Sequence, residues 1–359
     1  MYQVKRNSNF ETLRILAMYM IIFIHANMYL GYFCSGKTWL WVNGVVNGIC
    51  NIGVTCFVLL SGYFGLNFNI KKLLKMECMI IGFSVVETVL LCIFMPLEMQ
   101  GAALAEQLVK TFCPFITRKY WFYSCYICLF CFSGYINKFV DTLEKKEFGK
   151  LIAISILLFS ICPTFFYFEI IPDHGKGFVQ MVMIYLMGRY IKKFGISRFS
   201  RGKEIILFIS LWIVNGISQK FPITFGGIWH HFCKDNSITN LVMAVILFCW
   251  FKDWKIQSVT VNKMSKNMFA VFALNNSLVT IVMQYVLTYE KFSFIKEFGV
   301  VGLIITVFLI MFGCILIGTI RELLLGRIEN RILLLIETKA LFYYKKWDIG
   351  NSSEISAGK

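Results

Sequence analysis

Residues 301–317 read VGLIITVFLIMFGCILI, an uncharged and almost wholly apolar run. Its length is close to the ~20 residues that an α-helix needs to cross a bilayer. Only α-helices and closed β-barrels span membranes, and barrel strands read as shorter segments of alternating polarity. The run therefore predicts a transmembrane helix, and similar runs recur along the whole chain.

The overall composition also indicates a protein embedded in lipid. Hydrophobic residues make up 58% of the chain and charged residues only 16%, whereas a soluble domain has about 25% charged residues. The net charge of +16 would suggest nucleic-acid binding in a soluble protein, but in a membrane protein it is typical of loops that face anionic lipid. We therefore predict membrane lipid, and no nucleic acid, as a partner. Most of the 13 cysteines lie within apolar runs, so we expect neither a metal site nor a disulfide framework.

The predicted fold class is all-α, a polytopic transmembrane bundle of about ten helices. If the N-terminus is cytoplasmic, the predicted cytoplasmic segments contain 27 of the 36 Lys and Arg residues. By the positive-inside rule this asymmetry predicts that both termini are cytoplasmic and that the number of helices is even. The predicted spans are 12–31, 40–64, 76–95, 120–137, 151–171, 178–192, 204–220, 238–252, 267–288 and 298–319.

The segment that follows the last predicted span has a different pattern. Between Arg321 and Lys346, basic and apolar residues alternate at helical spacing. This pattern is typical of an amphipathic helix that lies on the surface of a membrane. We therefore predict a transmembrane domain at residues 1–320 and a cytoplasmic amphipathic tail at residues 321–359.

The first predicted helix carries three ionisable side chains, Glu11, Arg14 and His25. Glu11 and Arg14 are neighbours because they are three residues apart. His25 follows Arg14 by three helical turns plus about 20°, so it lies on the same face about 16 Å deeper. Arginine suits phosphate, and histidine transfers protons near neutral pH. The spacing indicates a phosphate-binding mouth with a proton-transfer group further in. The alternative is that His25 only packs by hydrogen bonding and Arg14 only reaches the lipid headgroups.

Several motifs of the chain resemble those of one known family. Residues 9–17, NFETLRILA, lead to His25, and residues 53–64 read GVTCFVLLSGYF, followed by a lysine cluster at 71–75. This opening resembles the acyltransferase 3 family, whose first helix has an acidic residue, two positions, Arg, ten positions and then His. The weaker later matches are YWF at 120–122, YLMGRY at 185–190 and SKNMF at 265–269. The resemblance covers about residues 1–320 and implies the same ten-helix plan.

One motif departs from the family pattern. The late segment of the family usually ends in a histidine, whereas this chain has Leu274, Asn275 and Asn276 there, and Ala270 and Phe272 replace its glycine and tyrosine. An amide can replace a histidine that forms hydrogen bonds but not one that titrates. Whether Asn275 takes over the role of that histidine is therefore open.

The resemblance implies an integral acyltransferase of the inner (cytoplasmic) membrane. It would move an acyl group, with acetyl as the expected group, from cytoplasmic acyl-CoA to a hydroxyl of a cell-surface or lipid-linked glycan. Acyl-CoA would then be a substrate, and no permanently bound cofactor is expected. The alternative is a small-solute transporter or flippase without bond chemistry.

The candidate site residues follow from the spacing and the resemblance together. His25 would be the general base or a transient acyl carrier, with Arg14 and Glu11 completing the catalytic set. Glu11 would orient Arg14. The residues expected to bind the CoA phosphates are Arg14, Lys71, Lys72 and Lys75. Those expected to line the substrate passage are Ser61, Tyr63 and Trp121.

Five further residues carry weaker predictions. His230 and His231 with the nearby Asp235 would contact the acceptor, and a zinc site is the alternative there. Glu87 lies in the middle of a predicted span, where it would serve a cation or proton step or remain a buried, protonated acid. His174 is interpreted as a solvated loop residue.

Overall fold

A computed structural model describes the backbone of residues 7–31, 37–166, 168–221, 223–225, 228–230, 232–286 and 293–357. Within these ranges the chain is helical apart from loops and one short hairpin of two antiparallel strands. The first seven helices are α1 (Ser8–Ala26), α2 (Lys37–Cys50), α3 (Gly53–Phe64), α4 (Ile70–Phe94), α5 (Gly101–Phe112), α6 (Trp121–Thr142) and α7 (Lys145–Ile156). The elements that follow are α8 (Cys162–Phe165), α9 (Phe178–Phe194), α10 (Arg201–Lys220), β1 (Ile223–Phe225), β2 (Ile228–His230), α11 (Ile238–Asp253), α12 (Val259–Met264), α13 (Met268–Leu274) and α14 (Ser293–Ala357).

The all-helical, membrane-embedded character of the chain is confirmed. Among the described residues, five segments are long and apolar enough to cross a membrane: Ser8–Tyr29, Gly44–Phe64, Ile70–Phe94, Lys145–Phe165 and Glu297–Ile336. Each overlaps a predicted span. Helices α6, α9, α10 and α11 overlap four more predicted spans, although they are not among these five. The total of ten spans and the cytoplasmic position of both termini stay predictions.

Helix α5 and the hairpin were not predicted. Helix α5 is short and amphipathic, so it lacks the long apolar run that marks a span. It docks on α4 through polar contacts, in which Thr88 and Thr111 share a hydrogen bond of 2.7 Å and the Gln107 amide donates to Thr88 at 3.1 Å. The hairpin pairs Ile223 with His230. Both elements lie in connections that the sequence analysis left without structure.

The ninth predicted span, 267–288, is broken into short pieces. A 3₁₀ turn at Ser265–Asn267 leads into α13, which continues as two π-helical segments, Asn275–Val279 and Val282–Val286. Thr280 donates its hydroxyl hydrogen to the carbonyl oxygen of Asn275 at 2.9 Å, so a side chain stabilises the widened turn. Single π turns within helices are frequent at functional sites.

The last helix does not stop where the predicted tail begins. Helix α14 passes residue 320 without interruption, and its kink lies earlier, at Gly299, with φ 51° and ψ −125°. Lys75 of α4 forms an ion pair with Glu322 at 2.7 Å. The start of the predicted tail is therefore packed against the helix bundle. Its attachment to the surface of the inner leaflet stays a prediction.

Helix α3 lies at the centre of the bundle, in contact with α1, α9 and α11. A Cβ atom on Gly62 would collide with the carbonyl oxygen of Tyr185, and one on Gly188 would lie 2.7 Å from the backbone nitrogen of Tyr63. Only glycine permits backbones to approach this closely, and small residues at such contacts are typical of membrane helix pairs. The α3–α9 contact therefore holds the centre of the bundle rigid beside α1.

Candidate active site

Helix α1 carries the residues that were predicted to be catalytic. The side chain of Asn7 caps its first turn by accepting from the backbone N–H of Asn9 at 3.3 Å. The Asn9 side chain accepts from the backbone of Ile256 at 2.7 Å and donates to the carbonyl of Trp254. The start of α1 is thus tied to the loop after α11. Because α1 is anchored at this end, the position of each side chain along the helix is fixed relative to the rest of the bundle.

Glu11 and Arg14 form the expected pair. The guanidinium Nη1 of Arg14 donates to the carboxylate Oε2 of Glu11, and the Glu11 residue is 8% exposed. A buried carboxylate on one side restricts the planar fork of the guanidinium to few orientations. The contact that the spacing predicts is therefore present, whereas the role of Glu11 in orienting Arg14 for the reaction stays a prediction.

One cavity, which we call the Arg14 pocket, lies beside the first half of α1 and has a volume of about 470 Å³. Basic side chains from three elements line it, together with aromatic and aliphatic groups. Two of these cations also have acidic partners, because Arg14 pairs with Glu11 and Lys75 with Glu322. The basic and polar residues that line it include Arg14, Ser61, Lys72, Lys75, Ser265 and Lys266.

Three of the four residues predicted to bind CoA, Arg14, Lys72 and Lys75, meet in this pocket, whereas Lys71 and Tyr63 do not line it. Lys71 lies on α4 outside the described lining. The Tyr63 ring packs 5.2 Å from both the Phe10 and the Phe248 rings, with the Lys192 ammonium 5.0 Å above it. Tyr63 therefore lies in an aromatic cluster between α1, α3 and α11. Tyr63 does not line the Arg14 pocket, so its position along a substrate passage stays a prediction.

A second cavity, the His25 pocket, has a volume of about 510 Å³. It lies at the other end of α1 and takes residues from α4, α5, the loop before α6, and the segment after α13. Trp121, the third predicted passage residue, is part of its wall. The residues that line the His25 pocket include His25, Tyr29, Glu87, Gln107, Lys110, Arg118, Lys119, Trp121, Asn276 and Thr280.

Glu87 is paired in this pocket rather than isolated. Its carboxylate Oε2 lies 2.9 Å from the ammonium of Lys119 and accepts from the Tyr120 hydroxyl at 2.6 Å. The side chains of Glu87 and Lys119 are only 13% and 7% exposed. Glu87 is therefore held between a cation and a hydroxyl at the wall of the His25 pocket.

Asn275, the residue that departs from the family motif, lies against the side chain of His25. The side-chain amide of Asn275 lies 2.6 Å from the ring Nδ1 of His25, although the two residues are 250 positions apart in the chain. Asn275 is fully buried, and its Oδ1 has no hydrogen-bond partner among the described residues. The chain therefore places a hydrogen-bonding amide, at the motif position where the family has a histidine, directly against the ring of His25.

Aromatic side chains separate the two pockets. The rings of Phe57 and Phe272, which line the Arg14 pocket, lie 6.0 and 5.3 Å from the ring of Phe122. The Phe122 ring in turn lies 5.9 Å from Trp121, which lines the His25 pocket. The described residues that line one pocket do not line the other. These aromatic rings therefore lie between the lining residues of the two pockets.

Two of the remaining candidates, His174 and Asp235, are not among the residues that line the two pockets. His174 is exposed and its Nδ1 lies 3.1 Å from Glu169, in agreement with its interpretation as a solvated loop residue. Burial raises the pKa of the Asp235 carboxyl to about 6, and the charge of Lys176 partly opposes this shift. The side chains of His230 and His231 lie outside the described residues.

Two groups of lining residues were not singled out as site residues from the sequence. Lys266 entered the sequence analysis only as one of the basic residues in the predicted cytoplasmic segments. It lies in the SKNMF motif, and three other residues of that motif also line the Arg14 pocket. Arg118 and Lys119 lie in a connection between spans and belong to no motif. The motif was therefore a usable signal for Lys266, and only the packing of the loop reveals the other two.

Comparison with known proteins gives one match. A family described as an acyltransferase domain matches residues 7–320, which is nearly the whole chain. Neither a curated protein nor a solved structure matches. The match includes every residue that lines the two pockets.

Proposed function

The chain belongs to the acyltransferase 3 family, and from this premise we propose that it carries an acyl group across the cell (inner) membrane from acyl-CoA to a glycan. The family and the apolar helices together make it a membrane acyltransferase. The proposal adds a cytoplasmic acyl-CoA donor, with acetyl as the group transferred, and a hydroxyl of a surface or lipid-linked glycan as acceptor. Its main support is one observation: a single helix carries Arg14 to one pocket and His25 to another.

The charges of the Arg14 pocket support binding of the donor. CoA carries several phosphate groups, and arginine and lysine are the side chains that bind phosphate most strongly. No carboxylate among the described residues forms an ion pair with Lys72 or Lys266, so neither ammonium group is held by an acid and both can contact a ligand. The apolar wall of the pocket, with Met76 and Phe269, suits the uncharged thiol arm of CoA.

The distance along α1 supports the transfer path. Arg14 and His25 are separated by about 16 Å along the helix axis, which the extended thiol arm of acyl-CoA can span. With the phosphates at Arg14, the thioester would then lie near His25. The aromatic rings around Phe122 must part to admit the arm.

The proposed chemistry uses His25 as a general base. It takes the proton from the acceptor hydroxyl, whose oxygen forms a bond to the thioester carbonyl carbon as the C–S bond breaks. The imidazolium then returns the proton to the departing CoA thiolate, so the ring ends as it began. Acyl transfer through His25 as a transient carrier is the second route, in which the ring nitrogen attacks the carbonyl first.

In the structure the amide nitrogen Nδ2 of Asn275 faces Nδ1 of His25, an arrangement that leaves the ring hydrogen on Nε2. The first route needs the opposite orientation of this amide. A neutral imidazole has one N–H and one lone pair, so protonation of Nδ1 leaves the Nε2 lone pair free as the base. A half-turn of the Asn275 amide brings its unpartnered Oδ1 to the position beside Nδ1, where it accepts the Nδ1 hydrogen. The exchange of amide N and O satisfies the buried oxygen and holds the productive tautomer.

The experiment that tests the proposal incubates purified protein in lipid nanodiscs with radiolabelled acetyl-CoA. We expect release of free CoA, and label on glycan when crude surface polysaccharide is added. The Lys266→Gln variant should raise KM for acetyl-CoA, while the matched Lys203→Gln variant, outside both pockets, should not. Solute flux through reconstituted protein with no turnover of acetyl-CoA would identify a transporter and refute the enzyme.

A further inference from the structure

The cations of the His25 pocket are more numerous than its acids. Lys110, Arg118 and Lys119 line the cavity, whereas Glu87 is the one acid among the described lining residues. Lys110 is already paired with Glu106 at 2.6 Å, outside the cavity wall. Positive charge therefore remains on the pocket wall beside the proposed base.

Arg118 has no acidic partner among the described residues. One guanidinium nitrogen, Nη2, donates to the backbone carbonyl of Lys176 at 2.8 Å, which ties the loop before α6 to the loop before α9. The backbone of Arg118 has a φ of 52°, in the left-handed region that residues other than glycine seldom adopt. The guanidinium is thus held at the cavity with most of its N–H groups unused.

Lys119 is buried and under-satisfied. Its side chain is 7% exposed, and its ammonium makes no hydrogen bond of good geometry with the described residues. The neighbouring Oε2 of Glu87 already accepts from the Tyr120 hydroxyl. An ammonium has three N–H groups, and the Glu87 oxygen 2.9 Å away is the one carboxylate in ion-pair contact with it among the described residues. Buried N–H groups that are left without an acceptor are unfavourable. An incoming anion would supply the missing acceptors.

We infer that the His25 pocket recognises an anionic saccharide as acceptor. Arg118 and Lys119 would bind a carboxylate or phosphate on the sugar, and Trp121 would pack against an apolar sugar face. This contact would hold a neighbouring hydroxyl towards His25. The inference rests on the proposed function, because it names the class of acceptor at the same site.

The test measures saccharide binding to the full chain in nanodiscs, without acyl-CoA. Trigalacturonate is compared with its methyl ester, which has the same backbone but no charge, and maltotriose phosphate is compared with maltotriose. We expect each anion to bind about 10-fold more tightly than its neutral counterpart, the effect of one charge-assisted contact. A preference for only one anion identifies the carboxylate or the phosphate as the group recognised.

Variants then assign the preference to residues. Arg118→Gln should remove most of the preference for the anionic saccharides, whereas Arg118→Lys, which keeps the charge, should retain part of this preference. The double variant Glu87→Gln with Lys119→Met avoids a buried unpaired carboxylate and should also reduce the preference. Lys220→Gln, outside the described lining, is the control and should change nothing.

Equal affinity for charged and neutral partners, or no binding of any of the four, would overturn the inference. So would an Arg118→Gln variant that weakens charged and neutral saccharides alike, since that result indicates a general structural role. The outcome is separable from the proposed function. Anion preference without acetyl-CoA turnover supports the site and refutes the enzyme, while turnover without anion preference refutes only the site.

Discussion

Replacement of His25 by glutamine is the most direct test of the mechanism. Glutamine is polar and can form a hydrogen bond, but it does not titrate, so it cannot take the proton of the acceptor hydroxyl. Loss of a general base lowers the rate by about 10²–10⁴-fold. We expect a loss of that size in acetyl transfer to glycan. Binding of acetyl-CoA should be nearly unchanged, because Arg14 lies three helical turns away and the base acts in the transition state.

The contact between His25 and Asn275 determines how the variant should fold. In His25→Gln the new amide can still pair with the buried Asn275 amide, which lies 2.6 Å from the ring in the wild type. In His25→Leu that amide has no partner, and a buried unsatisfied polar group costs about 1–3 kcal/mol. The two variants should therefore lose transfer equally, while only the leucine variant loses thermal stability.

The assay measures three properties of each variant in nanodiscs: the melting temperature, the Kd for acetyl-CoA and the rate of label transfer to glycan. His174→Gln is the matched control, because His174 is exposed and lies outside both pockets. It should behave as the wild type. A folded His25→Gln protein with normal donor binding and full glycan acylation would refute the proposed base.

Three further outcomes are expected. Arg14→Lys should raise KM for acetyl-CoA about 10-fold, because lysine cannot reproduce the planar fork; unchanged donor kinetics would show that Arg14 only reaches the headgroups. Gly62→Ala should lower the melting temperature, because the new methyl group collides with the Tyr185 backbone at a cost of about 1–3 kcal/mol. Gly82→Ala places its methyl group where no atom lies within 4 Å and should not lower the melting temperature. Equal melting temperatures of the two variants would contradict the close packing. A reporter that is active only outside the cytoplasm should stay silent when fused after Lys359, and activity there would refute the ten-helix topology.

The membrane-embedded helical fold could be predicted because its cause is local. Each apolar run has to satisfy its own backbone hydrogen bonds in lipid, so helix formation can be read from one stretch such as residues 301–317. The same locality explains the failures. Helix α5 is amphipathic and held by Thr88 of α4, and the break after α13 at Asn275 depends on side-chain packing, so neither leaves a hydropathy signal.

The candidate site was only partly predictable for a related reason. Arg14 and His25 share one helix, and helical periodicity alone puts them on one face at two depths. Tyr63 belongs to a motif beside Ser61, yet its ring turns into the cluster with Phe10, away from either cavity. Which side of a helix faces a cavity depends on the helices that pack against it. The periodicity of the sequence does not specify which helices these are.

The sequence by itself therefore determined that this protein is a helical membrane protein of the acyltransferase 3 type, with Glu11, Arg14 and His25 on its first helix. Only the tertiary structure decided that Asn275 lies against His25, that Lys266 joins the Arg14 pocket, and that Arg118 faces the other cavity. The physical reason is the separation along the chain over which each effect acts. Solvation by lipid and helical periodicity act between residues that are close in the chain, whereas a pocket forms where helices from distant parts of the chain pack together.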